Sequence, residues 1–180
     1  MTAESRQSGP AITRDREKGW VLEEGNRIVT FRIRTFQSFV DRLISLVGKR
    51  VSEVIMYQMG TEIGHVAYKY SEDKIKSDED WAPVLDNVLA TRGWGRCRNF
   101  EKQAQSGTLT YAITITGTPF SYERKTTEPT CHVLRGVVAG CIEARLGTKA
   151  QNSIEKECQS MGSKSCIFEL TFRDVAQSPT

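Results

Sequence analysis

The sequence lacks several features that would place the protein in a familiar class. No apolar stretch approaches the roughly 20 residues that cross a membrane, so we expect no membrane span. The first 18 residues are polar and charged, without the apolar region of a signal peptide, so we expect no secretion signal. The formal net charge is only +3 and the basic residues are scattered, so nothing predicts nucleic acid as a partner.

Motifs for nucleotide cofactors are missing as well. The sequence contains no Gly-x-x-x-x-Gly-Lys-Ser/Thr loop for binding phosphate. The segment Gly93-Trp94-Gly95 lacks the third glycine of a dinucleotide fingerprint and does not follow a predicted strand. Because we find no cofactor-binding or catalytic motif, the sequence favours a binding protein over an enzyme.

A disulfide framework is not expected either. The chain has five cysteines, and an odd number argues against a closed set of disulfides. A reducing cytoplasm is the simplest setting for such a chain. The only two histidines are His65, which we expect to be a packed or surface residue, and His132, which stands next to Cys131.

The composition is that of an ordinary globular domain. The chain has 180 residues, of which 38% are hydrophobic and 26% charged, and this length is enough to build a real core. Residues 1–18 are polar and poor in groups to bury, so we expect a disordered tail. A single domain is expected over 19–174, followed by a loose tail over 175–180.

The spacing of apolar residues predicts the secondary structure. A hairpin turning at Gly25-Asn26 comes first, then a helix over 36–47 and a second helix capped by Ser52. A third helix begins after Asp80, and a fourth begins at Glu128-Pro129. Strands are expected over 96–102, 109–115, 151–159 and 165–173. This order predicts an α+β fold with helices packed on an antiparallel sheet.

A glycine pair marks the second predicted helix. Gly60 and Gly64 stand four residues apart and leave a strip without side chains. We expect this strip to allow close packing against another helix. The same strip could also serve a soluble homodimer.

Three cysteines and one glutamate near the C-terminus have a spacing that suits a metal ion. Cys158 and Cys166 lie symmetrically about Gly162, so a turn there would place them opposite each other, with Cβ atoms about 4.5–5.5 Å apart. Two thiolates on one tetrahedral zinc, each about 2.3 Å from the metal, fit that separation. Cys131 would come from the helix before the hairpin, and Glu155 would supply an oxygen ligand.

The proposed ligand set makes one structural demand. Residues 155 and 158 differ by three, so on a regular strand their side chains would point to opposite faces. A bulge or turn near Lys156 is therefore needed. Two alternatives stay open, namely a Cys158–Cys166 disulfide and cysteines that are simply buried as small apolar residues.

The neighbouring cysteines and histidine have other expected roles. Cys141 lies about 80° around the helix from Cys131, on its apolar face, so we expect it in the core. Cys97 has no expected role. His132 is a candidate for orienting the metal site through a hydrogen bond.

The cysteine segment resembles the C-terminal signature of the 4-vinyl reductase domain family. That signature has a cysteine, a Gly-x-x-x-Gly helix, and then Glu-x-x-Cys-x-x-x-Gly-x-x-x-Cys-x-Phe. The matching residues here are Cys131, Gly136, Gly140, Glu155, Cys158, Gly162, Cys166 and Phe168. The interval from Gly147 to Glu155 is one residue longer than in the phenol sensors of the family.

The resemblance implies both a fold and a cofactor. It implies the α+β ligand-binding fold shared by nitric oxide sensors and Golgi vesicle-tethering subunits. It also implies a zinc ion on the cysteines and glutamate, beside an apolar pocket. Zinc sites closed by four protein ligands are usually structural. The Tyr-x-Ser-x-Arg motif of the haem sensors is absent, which argues against haem.

Three functional hypotheses follow. The first is a stand-alone regulatory or sensor domain that binds an apolar or aromatic small molecule, forms a homodimer and acts through a protein partner. The expected pocket residues, placed where helix ends meet the sheet, are Met59, Trp81, Trp94, Phe100 and Tyr111. The second hypothesis is a scaffold or assembly protein without a ligand. The third is an accessory factor in the reduction of tetrapyrrole vinyl groups.

Overall fold

The chain forms a small sheet, four α-helices and a larger sheet. The computed structural model describes residues 12–23 and 25–174. The strands are β1 (Ile12–Asp15), β2 (Trp20–Glu23), β3 (Asn26–Ile28), β4 (Arg96–Gln105), β5 (Thr108–Thr116), β6 (Asn152–Glu157) and β7 (Cys166–Arg173). The helices are α1 (Ile33–Val47), α2 (Lys49–Lys69), α3 (Trp81–Thr91) and α4 (His132–Leu146). No helix within these described ranges is both long and apolar enough to cross a membrane.

The larger sheet is antiparallel throughout and has the order β4-β5-β7-β6. Along β5 the apolar residues are buried and the intervening residues, mostly threonines, are only half-buried. One face of the sheet therefore lies against the core, as expected of alternating strands. The predicted fold class, helices packed on an antiparallel sheet, is confirmed.

The centre of the molecule is the crossing of α2 and α4. Gly60 and Gly64 on α2 face Gly136 and Gly140 on α4, and a Cβ atom on any of the four would overlap backbone of the facing helix. Only glycine allows two helix backbones to approach so closely. The strip predicted on the second helix is thus used for packing inside the chain, and most of α4 is buried as a result.

The first helix is attached more loosely. No residue of α1 is buried, although Phe36, Val40 and Leu43 on one face are packed against the core. A long loop, residues 117–131, connects β5 to α4 and lies beside this helix. Gln37 Nε2 donates to the Tyr122 carbonyl at 2.8 Å, and Arg124 binds Asp41 at 2.8 Å. Polar contacts of the loop therefore hold α1 in place.

The structure corrects three of the expected boundaries. Residues 12–15, expected in the disordered tail, form β1 and pair with β2. This pairing uses backbone hydrogen bonds, which the polar side chains of the segment do not predict. Ser52 is not a cap, because α2 begins at Lys49 and the Ser52 hydroxyl donates back to the Lys49 carbonyl at 2.6 Å. The fourth helix begins at His132, after the loop has ended. The rest of the predicted tails, 1–11 and 175–180, lies outside the described residues.

Candidate metal centre and neighbouring cavity

The fold brings three sulfur atoms together. Cys131 immediately precedes α4, Cys158 follows β6, and Cys166 begins β7. Their Sγ atoms are 3.6, 3.9 and 4.0 Å apart. Three thiolates on a tetrahedral zinc, each about 2.3 Å from the metal, would be about 3.8 Å apart. A disulfide needs sulfurs about 2.05 Å apart, so the disulfide alternative does not fit.

Glu155 completes the cluster. The register of β6 against β7 shifts between Glu155 and Glu157, which is the irregularity at Lys156 that the sequence required. Glu155 Oε2 accepts a hydrogen bond from the Cys131 backbone N–H at 3.0 Å. Its other oxygen is buried and has no hydrogen-bond partner among the described residues. One ligand atom from each of the four residues lies within 4.8 Å of the others, so a carboxylate oxygen is available as a fourth ligand.

The electrostatics of this cluster favour a cation. Hydrogen bonds from the Cys131 and Cys166 thiols lower the pKa of Cys158, and the contact with Cys158 raises the pKa of Cys131. Burial raises the pKa of Glu155 to about 8. Only one group of such a cluster ionises easily unless a positive ion compensates the charge. Thiolates with one carboxylate are a ligand set suited to zinc, so the residues fit the metal that the resemblance implies.

Hydroxyl and amide groups surround the sulfurs. The Ser160 hydroxyl is 3.0 Å from Cys158 Sγ, and the Thr118 hydroxyl is 3.4 Å from Cys131 Sγ. The Gln159 backbone N–H donates to Cys166 Sγ at 3.3 Å. Groups of this kind orient metal ligands and tune their charge. The sequence analysis did not identify Ser160 or Thr118, because no spacing rule connects them to the cysteines.

His132 does not orient the metal ligands as expected. Its Nε2 lies 3.7 Å from Glu53 on α2, and its Nδ1 is buried without a hydrogen-bond partner among the described residues. The side chain therefore turns from the sulfurs toward α2. Burial lowers the pKa of His132, so the neutral imidazole is favoured there.

The two remaining cysteines lie outside the cluster. Cys141 is buried on α4 and its thiol donates to the Gly64 carbonyl at 3.4 Å, in agreement with the expected core position. Cys97 is buried at the start of β4. Burial raises the pKa of Cys97 to about 11 and that of Cys141 to about 12, so both thiols stay protonated near neutral pH. A protonated thiol is a poor nucleophile and a poor metal ligand.

The aromatic residues expected to line a pocket fill the space instead. The rings of Trp81 and Phe100 are stacked with centroids 5.2 Å apart, and Phe100 meets Tyr111 edge-on at 5.6 Å. Tyr111 in turn contacts Phe172 at 5.6 Å. This row of rings, which we call the ring stack, occupies the space between α3 and the sheet.

The other two expected pocket residues are separate from the ring stack. Met59 is 49% exposed on the outer face of α2. Trp94 packs its ring edge-on against Phe120 at 5.9 Å. None of the five expected residues lines the cavity described next. Of the four aromatic residues expected at the pocket, Trp81 and Tyr111 are buried and Trp94 and Phe100 are partly buried.

A cavity lies beneath α1, between this helix, α2 and the loop 117–131. It has a volume of about 610 Å³. Its apolar lining comes from both N-terminal helices and the loop, namely Phe36, Val40, Ile44, Met56 and Phe120. A second wall is the segment 124–130, which leads directly to Cys131. We call this space the α1 cavity.

Charged groups surround the α1 cavity. Lys49 pairs with Glu128 across it, and Glu53 approaches His132. These four residues line the cavity together with the apolar groups. Small-molecule sites usually combine apolar surface with polar groups that fix the orientation of the ligand.

Comparisons with known proteins agree on the fold. No protein-family model matches the sequence, and a comparison with curated proteins gives no match either. Among solved structures, the phenol-responsive sensory domain of the transcription activator PoxR, with phenol, matches with a TM-score of 0.72 and 14% identity. This match covers 89% of this chain and 84% of that chain.

Two further structures share the fold. A vinyl-4-reductase family protein from Methanocaldococcus jannaschii matches with a TM-score of 0.55 and 22% identity, over 79% of this chain and 82% of that one. A trafficking protein particle complex subunit 3 from Naegleria fowleri, covalently bound to palmitic acid, has a TM-score of 0.57 and 15% identity, over 77% and 90% of the two chains. At these identities the similarity establishes a related fold.

Proposed function

We propose that this protein is a zinc-stabilised regulatory domain that binds an apolar or aromatic small molecule in the α1 cavity. The observation that carries the proposal is the cavity itself, about 610 Å³ in volume and lined by apolar side chains together with charged and polar ones. Ligand sites commonly measure about 300–1,000 Å³ and combine an apolar interior with a few polar groups. The PoxR sensory domain, which has this fold, was solved with phenol, and the N. fowleri subunit carries palmitic acid.

A ligand would complete a core that the chain leaves unfinished. The apolar face of α1 carries Phe36 and Val40, yet no residue of this helix is buried. A bound apolar molecule would cover these side chains, and each square ångström removed from water contributes roughly 25 cal/mol. The polar groups of the cavity lining would orient the ligand. Binding would therefore order α1 against the rest of the domain.

Zinc has a structural role in this proposal. Cys131, Glu155, Cys158 and Cys166 would fill all four positions of a tetrahedral ion, which leaves none for water or substrate. The ion would hold β6 and β7 against the start of α4, next to the cavity wall. Thiolate ligands must stay reduced, so a reducing compartment such as the cytoplasm suits the protein.

We also propose that the protein forms a homodimer and signals through a protein partner. The glycine strip is buried against α4, so a dimer would use the opposite face of α2. That face exposes large apolar side chains three or four residues apart, namely Val51, Ile55, Met59, Ile63 and Val66. Exposed apolar rows of this kind mark protein interfaces. Light scattering at micromolar concentration should give twice the 20.3 kDa chain mass.

Matched variants test this interface. Met59→Glu, in the exposed row, should shift the protein to the monomer, whereas Gln103→Glu adds the same charge at an exposed position of β4 and should leave the dimer intact. A wild-type protein with the mass of one chain would reject the homodimer.

A scaffold function without a ligand is the second candidate. The ring stack favours it, because side chains fill the space between α3 and the sheet completely enough to leave no large cavity there. The N. fowleri subunit, which shares the fold, belongs to a trafficking complex. In this case the exposed face of α2 would be the functional surface and the α1 cavity would stay empty.

A thermal-shift screen distinguishes the two candidates. The zinc-loaded protein is heated with phenols, indoles, fatty acids and tetrapyrroles. A true ligand at a hundred times its dissociation constant should stabilise the fold by about 2.7 kcal/mol. The effect should vanish in Val40→Trp, which fills the α1 cavity, and persist in Leu46→Trp, which adds the same ring at an exposed position of α1. If no compound shifts the wild-type midpoint, the scaffold function replaces the sensor function.

A further inference from the structure

The metal centre and the wall of the α1 cavity share one buried side chain. Ser160, in the turn between Cys158 and Cys166, is only 3% exposed. Its hydroxyl lies 3.0 Å from Cys158 Sγ. On its other side it accepts hydrogen bonds from Thr126 at 2.7 Å and Thr130 at 3.2 Å. Both threonines line the cavity.

The contact between the two sites includes the backbone. The Thr126 N–H donates to the Ser160 carbonyl at 2.9 Å. The Thr130 hydroxyl also lies 3.8 Å from Cys158 Sγ. We call the turn between Cys158 and Cys166 the metal turn. The wall segment 124–130 is therefore attached to it at two of its seven positions, although the two segments are separated by about thirty residues of chain.

A metal on Cys158 would fix the direction of these hydrogen bonds. A metal-bound thiolate has no proton and only accepts, so the single proton of the Ser160 hydroxyl must point at the sulfur. The Ser160 oxygen is then free to accept from Thr126 or Thr130, whose single protons can otherwise go to the Glu128 and Phe120 carbonyls. When Cys158 is a thiol it can donate to Ser160 instead, and the hydroxyl no longer has one preferred orientation. Hydrogen bonds to a charged acceptor are also stronger than neutral ones.

We propose that Ser160 is a positioning residue that couples the metal centre to the cavity wall. Loading of the metal orders the segment 124–130 through Ser160, and by thermodynamic reciprocity an ordered wall retains the metal longer. This inference deepens the proposed function, because it describes how zinc would regulate the shape of the ligand cavity. It requires no ligand to be identified.

The first test measures backbone hydrogen exchange in the segment 124–130 of zinc-loaded protein without ligand. Ser160→Ala removes the hydroxyl but no metal ligand, and elemental analysis establishes that the variant holds zinc. The matched control is Ser163→Ala, in the same turn but outside the hydrogen-bond set. Exchange of the Thr126 amide should be three- to ten-fold faster in Ser160→Ala than in wild type, which corresponds to the loss of about one hydrogen bond. The control should match wild type.

The second test approaches the coupling from the cavity side. Thr126→Val changes the wall and touches no metal ligand. Zinc transfer to the chelator 4-(2-pyridylazo)resorcinol should be three- to ten-fold faster than in wild type. This measurement on Thr126→Val also tests the coupling if Ser160→Ala does not retain zinc. An unchanged transfer rate in Thr126→Val, or unchanged exchange in zinc-loaded Ser160→Ala, would overturn the coupling. Neither test contains a ligand. A failed ligand screen would therefore contradict the proposed function without contradicting the coupling between the metal centre and the cavity wall.

Discussion

Two helices of this molecule, α3 and α1, have similar amphipathic sequence patterns but are packed to different extents. The helix α3 buries Trp81, Leu85 and Leu89, and the ring stack fills the space between it and the sheet. The helix α1 has an equally regular apolar face but buries no residue, and the α1 cavity lies beneath it. An amphipathic pattern therefore predicts which face of a helix turns inward. It does not predict whether side chains of the neighbouring elements fill the space against that face.

The physical origin of the difference lies in what faces each helix. Opposite α3 stand the long β4 and β5, which contribute Phe100 and Tyr111 to the ring stack. Opposite α1 stands an irregular loop, held by polar contacts and by its attachment to the metal turn. A loop has no repeating row of side chains with which to fill a helix face. The open region is therefore the one suited to a ligand, and the closed region is the one that supplies stability.

The largest effect is expected at the metal centre, which adjoins the open region through the segment 124–130. Cys158→Ser or Cys166→Ser removes a ligand, and metal binding is coupled to folding. We expect a loss of at least about 4 kcal/mol in the free energy of unfolding, the range typical of a lost metal. Cys97→Ala, which removes a buried thiol but no ligand, should cost about 1 kcal/mol. Chemical denaturation measures all three, and equal losses would show that no metal stabilises the fold.

The next effect concerns the ring stack. Trp81→Ala should cost about 3–5 kcal/mol, because it empties a packed site that cannot fully collapse. Denaturant unfolding gives the value. A loss below about 1 kcal/mol would mean that the α3 region is not tightly packed, and the contrast between the two regions would then disappear.

The same truncation in the open region should be much milder. Phe36→Ala removes a ring that is only half-buried and already borders a cavity, so we expect about 1–2 kcal/mol. The informative quantity is the difference in the free energy of unfolding between Phe36→Ala and Trp81→Ala, measured under identical conditions. If Phe36→Ala costs as much as Trp81→Ala, α1 is as firmly packed as α3.

The smallest expected effect is a change in the free energy of unfolding whose sign, rather than its size, is informative. Val40→Trp adds bulk on the cavity side of α1, where a packed core would lose about 1–3 kcal/mol from overpacking. We expect a change within about 0.5 kcal/mol of wild type, or a gain, because the α1 cavity has room for the ring. Leu46→Trp on the exposed side is the control. A clear loss in Val40→Trp alone would show that the cavity does not exist in solution.

The candidate metal site was largely predictable from the sequence. Cys158, Cys166 and Glu155 lie within twelve positions of one another, so strand geometry alone fixed their separation and even required the bulge at Lys156. Cys131 was preferred to Cys141 because Cys141 lies on the apolar face of the predicted helix, and the resemblance to a known signature supported that choice. Ser160 and the threonines around it were not predictable, because their contacts depend on how the loop 117–131 folds over the turn.

The ligand region was the least predictable part. The sequence shows where aromatic residues lie, and it correctly predicts that Trp81 and Tyr111 are inside. It does not show that their rings meet and exclude a ligand. The α1 cavity depends on a helix, a second helix and an irregular loop at once, and no local pattern reports such an arrangement. The C-terminal ends of α1 and α4, by contrast, followed from Gly48 and Gly147.

Native mass spectrometry of the purified protein tests the central claim most directly. We predict one zinc per chain and, in wild type, an additional apolar molecule retained from the expression host or acquired from the compound panel. In Val40→Trp the zinc should remain and the additional mass should be lost. A wild-type spectrum with zinc but no retained or acquired molecule would contradict a ligand function for the α1 cavity, and a spectrum without zinc would contradict the metal centre.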